Sequence, residues 1–133
     1  MTQPEARDVP NLICDWLAAD LAGRFPELSV ALELPANWAP HVSGPVLLVE
    51  DDGDPMGLPH RLGTTPTTRI TSWTTGRDRR YIHAAMARLL TTPITGIAKV
   101  LPGTGVLDAR DPTTGGDLAS ITVRARARLA VPQ

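Results

Sequence analysis

Aromatic residues are scarce in this chain: three Trp, one Tyr and one Phe make up 4% of 133 positions. Without interleaved rings there is no stacking platform for single-stranded nucleic acid, and the core must come from Leu, Val, Ile and Ala. Cysteine occurs once, as Cys14, which excludes an internal disulfide and leaves no cysteine-based metal spacing. No apolar run reaches the length of a membrane span. The opening residues, MTQPEARDVP, lack the basic start and apolar stretch of a secretion signal, so synthesis in a reducing cytoplasm is expected.

Catalytic constellations are equally thin. Asp51, Asp52 and Asp54 in EDDGDP lack the ligand spacing and closing glutamate of an EF-hand, and an Asp-Gly turn accounts for them. His41, His60 and His83 share no ligand spacing, and Ser29, Ser43, Ser72 and Ser120 lie in no nucleophile-elbow context. The GTG at 103–105 neither follows dinucleotide spacing nor opens a helix, and no Walker sequence occurs. The chain reads as a non-enzyme that needs no cofactor and no metal.

The charge pattern is more informative. Arginine stands almost everywhere a base is used, Lys99 being the single lysine. With the abundant Ala, Gly, Pro and Thr this matches the codon bias of a GC-rich genome, so arginine's placement says more than its choice. Net charge is −1, yet residues 1–60 hold ten acids against two bases, and residues 61–133 hold eleven bases against four acids. Such asymmetry marks oriented association or nucleic-acid contact unless the two halves interleave in space.

At 133 residues the chain is one domain's worth, spanning 1–133. A first helix is capped by Asp8, carries Pro10 in its first turn and ends at Gly23. Val9, Leu12, Ile13, Trp16, Leu17 and Leu21 form its apolar face, with Cys14 beside that face. LSVALEL (28–34) and TRITSWT (68–74) alternate as strands, and VLLVE (46–50) is a continuous apolar run that fits a strand covered on both faces. In TRITSWT, Ile70 and Ser72 share one face while Arg69, Thr71 and Trp73 share the other. Thr75 and Asp78 form a candidate capping box for a second helix. Ile82, Ala85, Met86, Leu89 and Leu90 are its stripe, His83 lies half-buried at the stripe's edge, and Pro93 is just past the helix end.

GIAKVLP (96–102) is a further strand, with Val106 and Leu107 as a candidate continuation beyond the Gly103–Gly105 interruption. The closing strand, 118–130, alternates Ile121, Val123, Ala125, Ala127 and Leu129 against Thr122, Arg124, Arg126 and Arg128. The order α-β-β-β-α-β-β predicts an α+β fold: a mostly antiparallel sheet with two helices packed on one face. Two long connections, 51–67 and 102–117, are expected to project as functional arms.

The arginine face of the last strand meets water, a partner chain or nucleic acid. Arg77, Arg79 and Arg80 at the second helix's start oppose the helix dipole and so do not serve helix stability. No sequence-reading DNA module is present, which leaves loose electrostatic contact with duplex as the nucleic-acid option. An acidic half and a basic half on one molecule suit head-to-tail contacts that close into a ring.

The ordered pattern VPNLICDWLAADLAG, LELPANW, VLLVEDDGD, TTRITSWTTGRDRRYIHAAMARLLTTP and a terminal alternating strand resembles the tail terminator (tail completion or head–tail joining) proteins of long-tailed bacteriophages, especially those of actinobacteria. The resemblance covers nearly the whole chain through soft patterns. It implies a virion protein of the tail or neck, assembled in the host cytoplasm. Its ring, commonly six-fold, caps the tail tube, stops tube polymerisation and meets the head connector or stopper protein, while DNA passes through the lumen without sequence-specific binding. Arg124, Arg126, Arg128, Arg77, Arg79 and Arg80 would then face a neighbouring subunit or the lumen. The interface is favoured, since a lumen gripping phosphates would slow DNA exit. Asp51, Asp52, Asp54, Met56, Leu58, Leu107, Arg110 and Asp111 would lie on loops touching tube or connector. The alternatives are another phage neck or connector protein, or a small nucleic-acid-binding module; no membrane partner is expected.

Overall fold

A computed structural model describes residues 9–53 and 67–127. Asp8, Asp54, Met56, Leu58 and Arg128 from the sequence reading lie outside the described residues. Helix α1 (Val9–Ala22) leads to strands β1 (Ser29–Ala31), β2 (Val46–Gly53) and β3 (Thr67–Thr74). Helix α2 (Arg80–Thr91) and strands β4 (Ile97–Pro102), β5 (Leu107–Arg110) and β6 (Asp117–Ala127) follow. The expected α+β class holds, with one strand more than the sequence order supplied.

The sheet runs β1-β2-β3-β6-β4, with β5 also on β6. Only β1–β2 is parallel; the other pairings are antiparallel. Beta-branched side chains in TTRITSWT and ASITV suit the pleated centre of the sheet, and β3 and β6 pair there without a break from Thr67↔Arg124 to Thr74↔Asp117.

Both helices lie on one face of the sheet. Ile13, Leu17 and Leu21 of α1 and Ile82, Ala85 and Leu89 of α2 join Leu47, Val49, Ile70, Ile121, Val123 and Ala125 in one buried cluster. Each large side chain fully removed from water there contributes about 1.5–3 kcal/mol. Cys14 belongs to this cluster and not to its margin; burial, then the Asp15 charge, pushes its thiol pKa up. The stripe of α2 begins one residue earlier than expected, at Tyr81, whose ring meets Phe25 edge-on at 5.0 Å. The Tyr81 hydroxyl donates to Glu27 Oε2 at 2.7 Å. His83 is exposed and not half-buried.

The expected capping box at α2 does not form. Thr75 Oγ1 donates instead to the Pro40 carbonyl, and the helix opens at Arg80, where Asp78 Oδ1 accepts the Arg80 N–H at 3.1 Å. Asp78 still serves as an anchor of the helix start, two residues back instead of three along.

The two presumed arms resolve differently. Asp51 and Asp52 belong to β2, which extends through Gly53 and does not end at Glu50. The segment 102–117 is folded back on the sheet and is no arm. β4 pairs with β6 as far as Pro102↔Val123, and β5 resumes along the same edge at Leu107↔Ser120. Of the expected continuation past the glycines, Leu107 lies in this separate strand and Val106 precedes it. Between the two strands Gly103 N–H donates to the Thr122 carbonyl at 2.9 Å, and Thr104 N–H to Thr122 Oγ1 at 2.8 Å. The chain turns into β6 through Asp111, whose Oδ2 accepts the Thr114 N–H at 2.8 Å and the Thr114 hydroxyl at 2.6 Å. Those bonds, the Thr114 hydroxyl first, hold the Asp111 carboxyl below its usual range.

Candidate functional site

The sheet face turned away from the helices is where the exposed functional candidates collect. Its residues follow from register. Val46, Trp73, Leu118 and Ala109 form one row, and Leu48, Thr71, Ser120 and Leu107 the next. Glu50, Arg69 and Thr122 form a third, while Arg124 lies across from Thr67 and Leu101. Arg126 and Lys99 close the series.

One end of this face is covered by the chain itself. Parallel β1 and β2 need a long crossover, and residues 32–45 supply it by passing over the row of Trp73. Trp38 is buried to 4% exposure and packs edge-on against Trp73 at 5.5 Å. Its indole N–H donates to the Gly44 carbonyl at 2.9 Å. A Cβ on Gly116 would approach Trp38 Cζ3 to 2.6 Å, so glycine there makes room for the ring. Trp73 is half-buried beneath this crossover, and among the described residues its buried Nε1 has no hydrogen-bond partner.

The other end of the face is bare and charged. Arg124 and Arg126 are exposed, as the alternation of the last strand required, while Ile121, Val123 and Ala125 face the helices. Lys99 is exposed directly across from Arg126. Among the described residues none of these three cations has an ion-pair partner. At the opposite edge Glu50 and Asp52 are exposed on β2, and Glu33 is exposed two residues past β1. Asp52 pairs with Arg69 at 3.1 Å.

Arg77, Arg79 and Arg80 do not join the cations of β6. Arg77 and Arg79 line a cleft of about 310 Å³ beside the start of α2, together with Asp78, Asp108, Arg110 and Asp117. Arg79 is bound to Asp108 through Nε and Nη2, and Arg80 Nη2 to Asp78 Oδ2 at 2.8 Å. The Arg80 bond holds the Asp78 carboxyl below its ordinary value and pushes the Arg80 guanidinium up. Arg77 adopts a left-handed backbone, φ 59°, and its N–H donates to Asp117 Oδ2 at 3.0 Å. Arg79 and Arg80 are paired with carboxylates, and the cleft lining sets three arginines against three aspartates, so the cleft carries little net charge.

The charge halves of the sequence therefore interleave in part. Asp52–Arg69 and Asp20–Arg88, the latter 2.8 Å apart, each join the acidic half to the basic half. What survives as separated charge is the strip at each edge of the bare face. Leu107 and Arg110 lie on β5 and not on a projecting loop, and Asp111 is a turn residue. Sequence reasoning missed Trp38 and Glu33; the crossover that seats one and the edge that presents the other arise only from strand order. No group of three His, Cys, Asp or Glu residues suited to a metal ion occurs among the described residues. No helix among them is long and apolar enough to cross a membrane. The sequence matches no protein-family model and no curated protein.

Proposed function

We propose that this chain is a structural ring subunit that works by contact, the tail terminator of a long-tailed phage. It caps the tail tube, ends tube growth and joins the tail to the head connector, with DNA passing through the ring. The observation that supports this reading is β5. All four of its residues are exposed, Leu107 to 60%, although they are hydrogen-bonded to β6. A strand ordinarily adds stability by burying at least one face, and this one buries neither in the single chain. A partner subunit or tube subunit laid against Leu107, Ala109 and Arg110 gives that strand its missing cover, and an uncovered sheet edge is a natural site for such addition.

The test is assembly. Mass measured across protein concentration should show a particle that is a whole multiple of the 14.2-kDa chain, six copies for the expected ring. Adding it to polymerising tail-tube protein should shorten the tubes. A chain that has no effect on tube length at any ratio overturns the reading. Lys99, Arg124 and Arg126, without ion-pair partners among the described residues, favour one second reading, loose binding to duplex DNA. It requires an affinity that falls steeply with salt.

A further inference from the structure

The cations on the bare face are arranged against the interest of the isolated chain. Lys99 on β4 and Arg126 on β6 are direct cross-strand partners, and Arg124 stands two residues along the same strand on the same face. Like charges directly opposite one another destabilise a sheet. Among the described residues no carboxylate within ion-pairing distance relieves them, so folding alone does not explain their presence.

The opposite edge carries the reverse arrangement. Beyond Leu48 no described strand pairs with the outer side of β2; Glu50 and Asp52 are exposed there, and Glu33 is exposed two residues past the end of β1, the strand that flanks β2. Arg69 engages Asp52 and so neutralises one of the three carboxylates. Across the sheet from β2 to β4 are three strand spacings, about 14 Å. That exceeds the Debye length of about 8 Å at physiological salt. The two strips therefore do little to neutralise each other within one molecule. They stand on opposite edges of one face, which is the placement a head-to-tail contact requires.

We infer that the basic strip Lys99–Arg124–Arg126 of one copy docks against the acidic strip Glu33–Glu50–Asp52 of the next, edge to edge, and that this contact repeats around the assembly. The inference rests on the ring reading and assigns its joint. Both sides come from the same chain, so the occupant is a second copy. Bringing Glu50 and Glu33 to Lys99 and Arg126 replaces a repulsive pair by attractive ones, and the contact sets register between neighbours. Each subunit uses both edges once, so the arrangement closes only by rotation.

Charge reversal on one edge at a time provides the test. One variant carries Lys99→Glu, Arg124→Glu and Arg126→Glu; the other carries Glu33→Lys and Glu50→Lys. All five positions are exposed, and far-ultraviolet circular dichroism checks that each variant is folded. Each variant alone should self-associate at least about ten-fold more weakly than the wild type. An equimolar mixture should recover assembly into even-numbered particles, because each altered edge then meets an altered edge of the other variant. Wild-type particles should also dissociate as salt is raised. If both variants assemble as the wild type does, the joint lies elsewhere and the ring reading stands. Two folded variants that stay monomeric when mixed also overturn the inference. A wild-type chain that stays monomeric at every concentration, with and without tube protein, overturns the joint and the ring together.

Discussion

Gly103→Ala should be among the most damaging single-methyl changes in this protein. A Cβ at Gly103 would sit 2.6 Å from the Thr122 carbonyl oxygen and 2.9 Å from its carbon. Thr122 Oγ1 is closer still, but the two backbone atoms belong to the central strand β6, so rotating that side chain does not relieve the contact. The β4–β5 connection must lift away, and two hydrogen bonds go with it: Gly103 N–H to the Thr122 carbonyl and Thr104 N–H to Thr122 Oγ1. Each is worth about 1 kcal/mol net, and the displaced backbone adds about 1–2 kcal/mol of strain. The expected loss is about 3–4 kcal/mol. For a chain of this length that lowers the thermal midpoint by about 10–14 °C. Gly105→Ala is the matched control. It adds the same methyl two residues away, where nothing lies within 4 Å, and it should leave the midpoint within about 2 °C. The assay is thermal unfolding followed by circular dichroism on both variants under one buffer. If Gly103→Ala melts no lower than Gly105→Ala, residues 103–106 are not held to β6, and 102–117 regains its standing as a free arm.

Two further outcomes follow from the same packing. Trp38→Ala removes the ring over Trp73 and the bond to the Gly44 carbonyl and should cost about 3–5 kcal/mol. Denaturant unfolding measures the loss, and a red-shifted Trp73 emission reports the opened crossover; an unshifted midpoint would falsify the covering role given to Trp38. Burial, reinforced by the hydrogen bond to Glu27, pushes the Tyr81 phenol from 10.0 up to about 12. A group whose folded value is raised contributes stability that is complete below its unfolded value and disappears as pH climbs through the folded one. The wild type should therefore lose its advantage over Tyr81→Phe between about pH 10 and pH 12. A phenolate absorbance titration with its midpoint near that of free tyrosine would contradict the assignment.

Most of the secondary structure was readable because its signals are periodic. The stripe Val9, Ile13, Leu17 and Leu21 can face a core only as a helix, and the alternation from Ile121 to Arg126 can do so only as a strand. The placement of Arg124 and Arg126 on the bare face was thus legible before any coordinates. Three features were not. β5 is too short to show a period, and all of LDAR is exposed, so no hydrophobic alternation announces it. The start of α2 moved because Thr75, a sound cap by residue type, found the Pro40 carbonyl first; that carbonyl comes from a crossover 35 residues earlier. Trp73 fell under Trp38 for the same reason. The last two misses are contacts between segments distant in sequence, which residue spacing cannot encode.

The same distinction separates the two arginine groups. By sequence Arg77, Arg79 and Arg80 look like the stronger electrostatic feature, since they are closely spaced and sit at the wrong end of a helix dipole. The fold brings Asp108 of β5 to the Arg79 guanidinium and Asp117 of β6 to the Arg77 backbone N–H, and the local Asp78 takes Arg80, so the charges of Arg79 and Arg80 are used internally at the helix start. Arg124 and Arg126 are fewer and lie on a strand, yet topology places Lys99 beside them where a carboxylate would have balanced them. A cation's availability to a partner is therefore set by which strand becomes its neighbour, and here β4 withholds a counter-charge that β5 supplies. An acid at position 99 would give β6 the internal balance it lacks. A lysine there instead is what the proposed joint between copies requires, since that joint brings the counter-charge from a second chain.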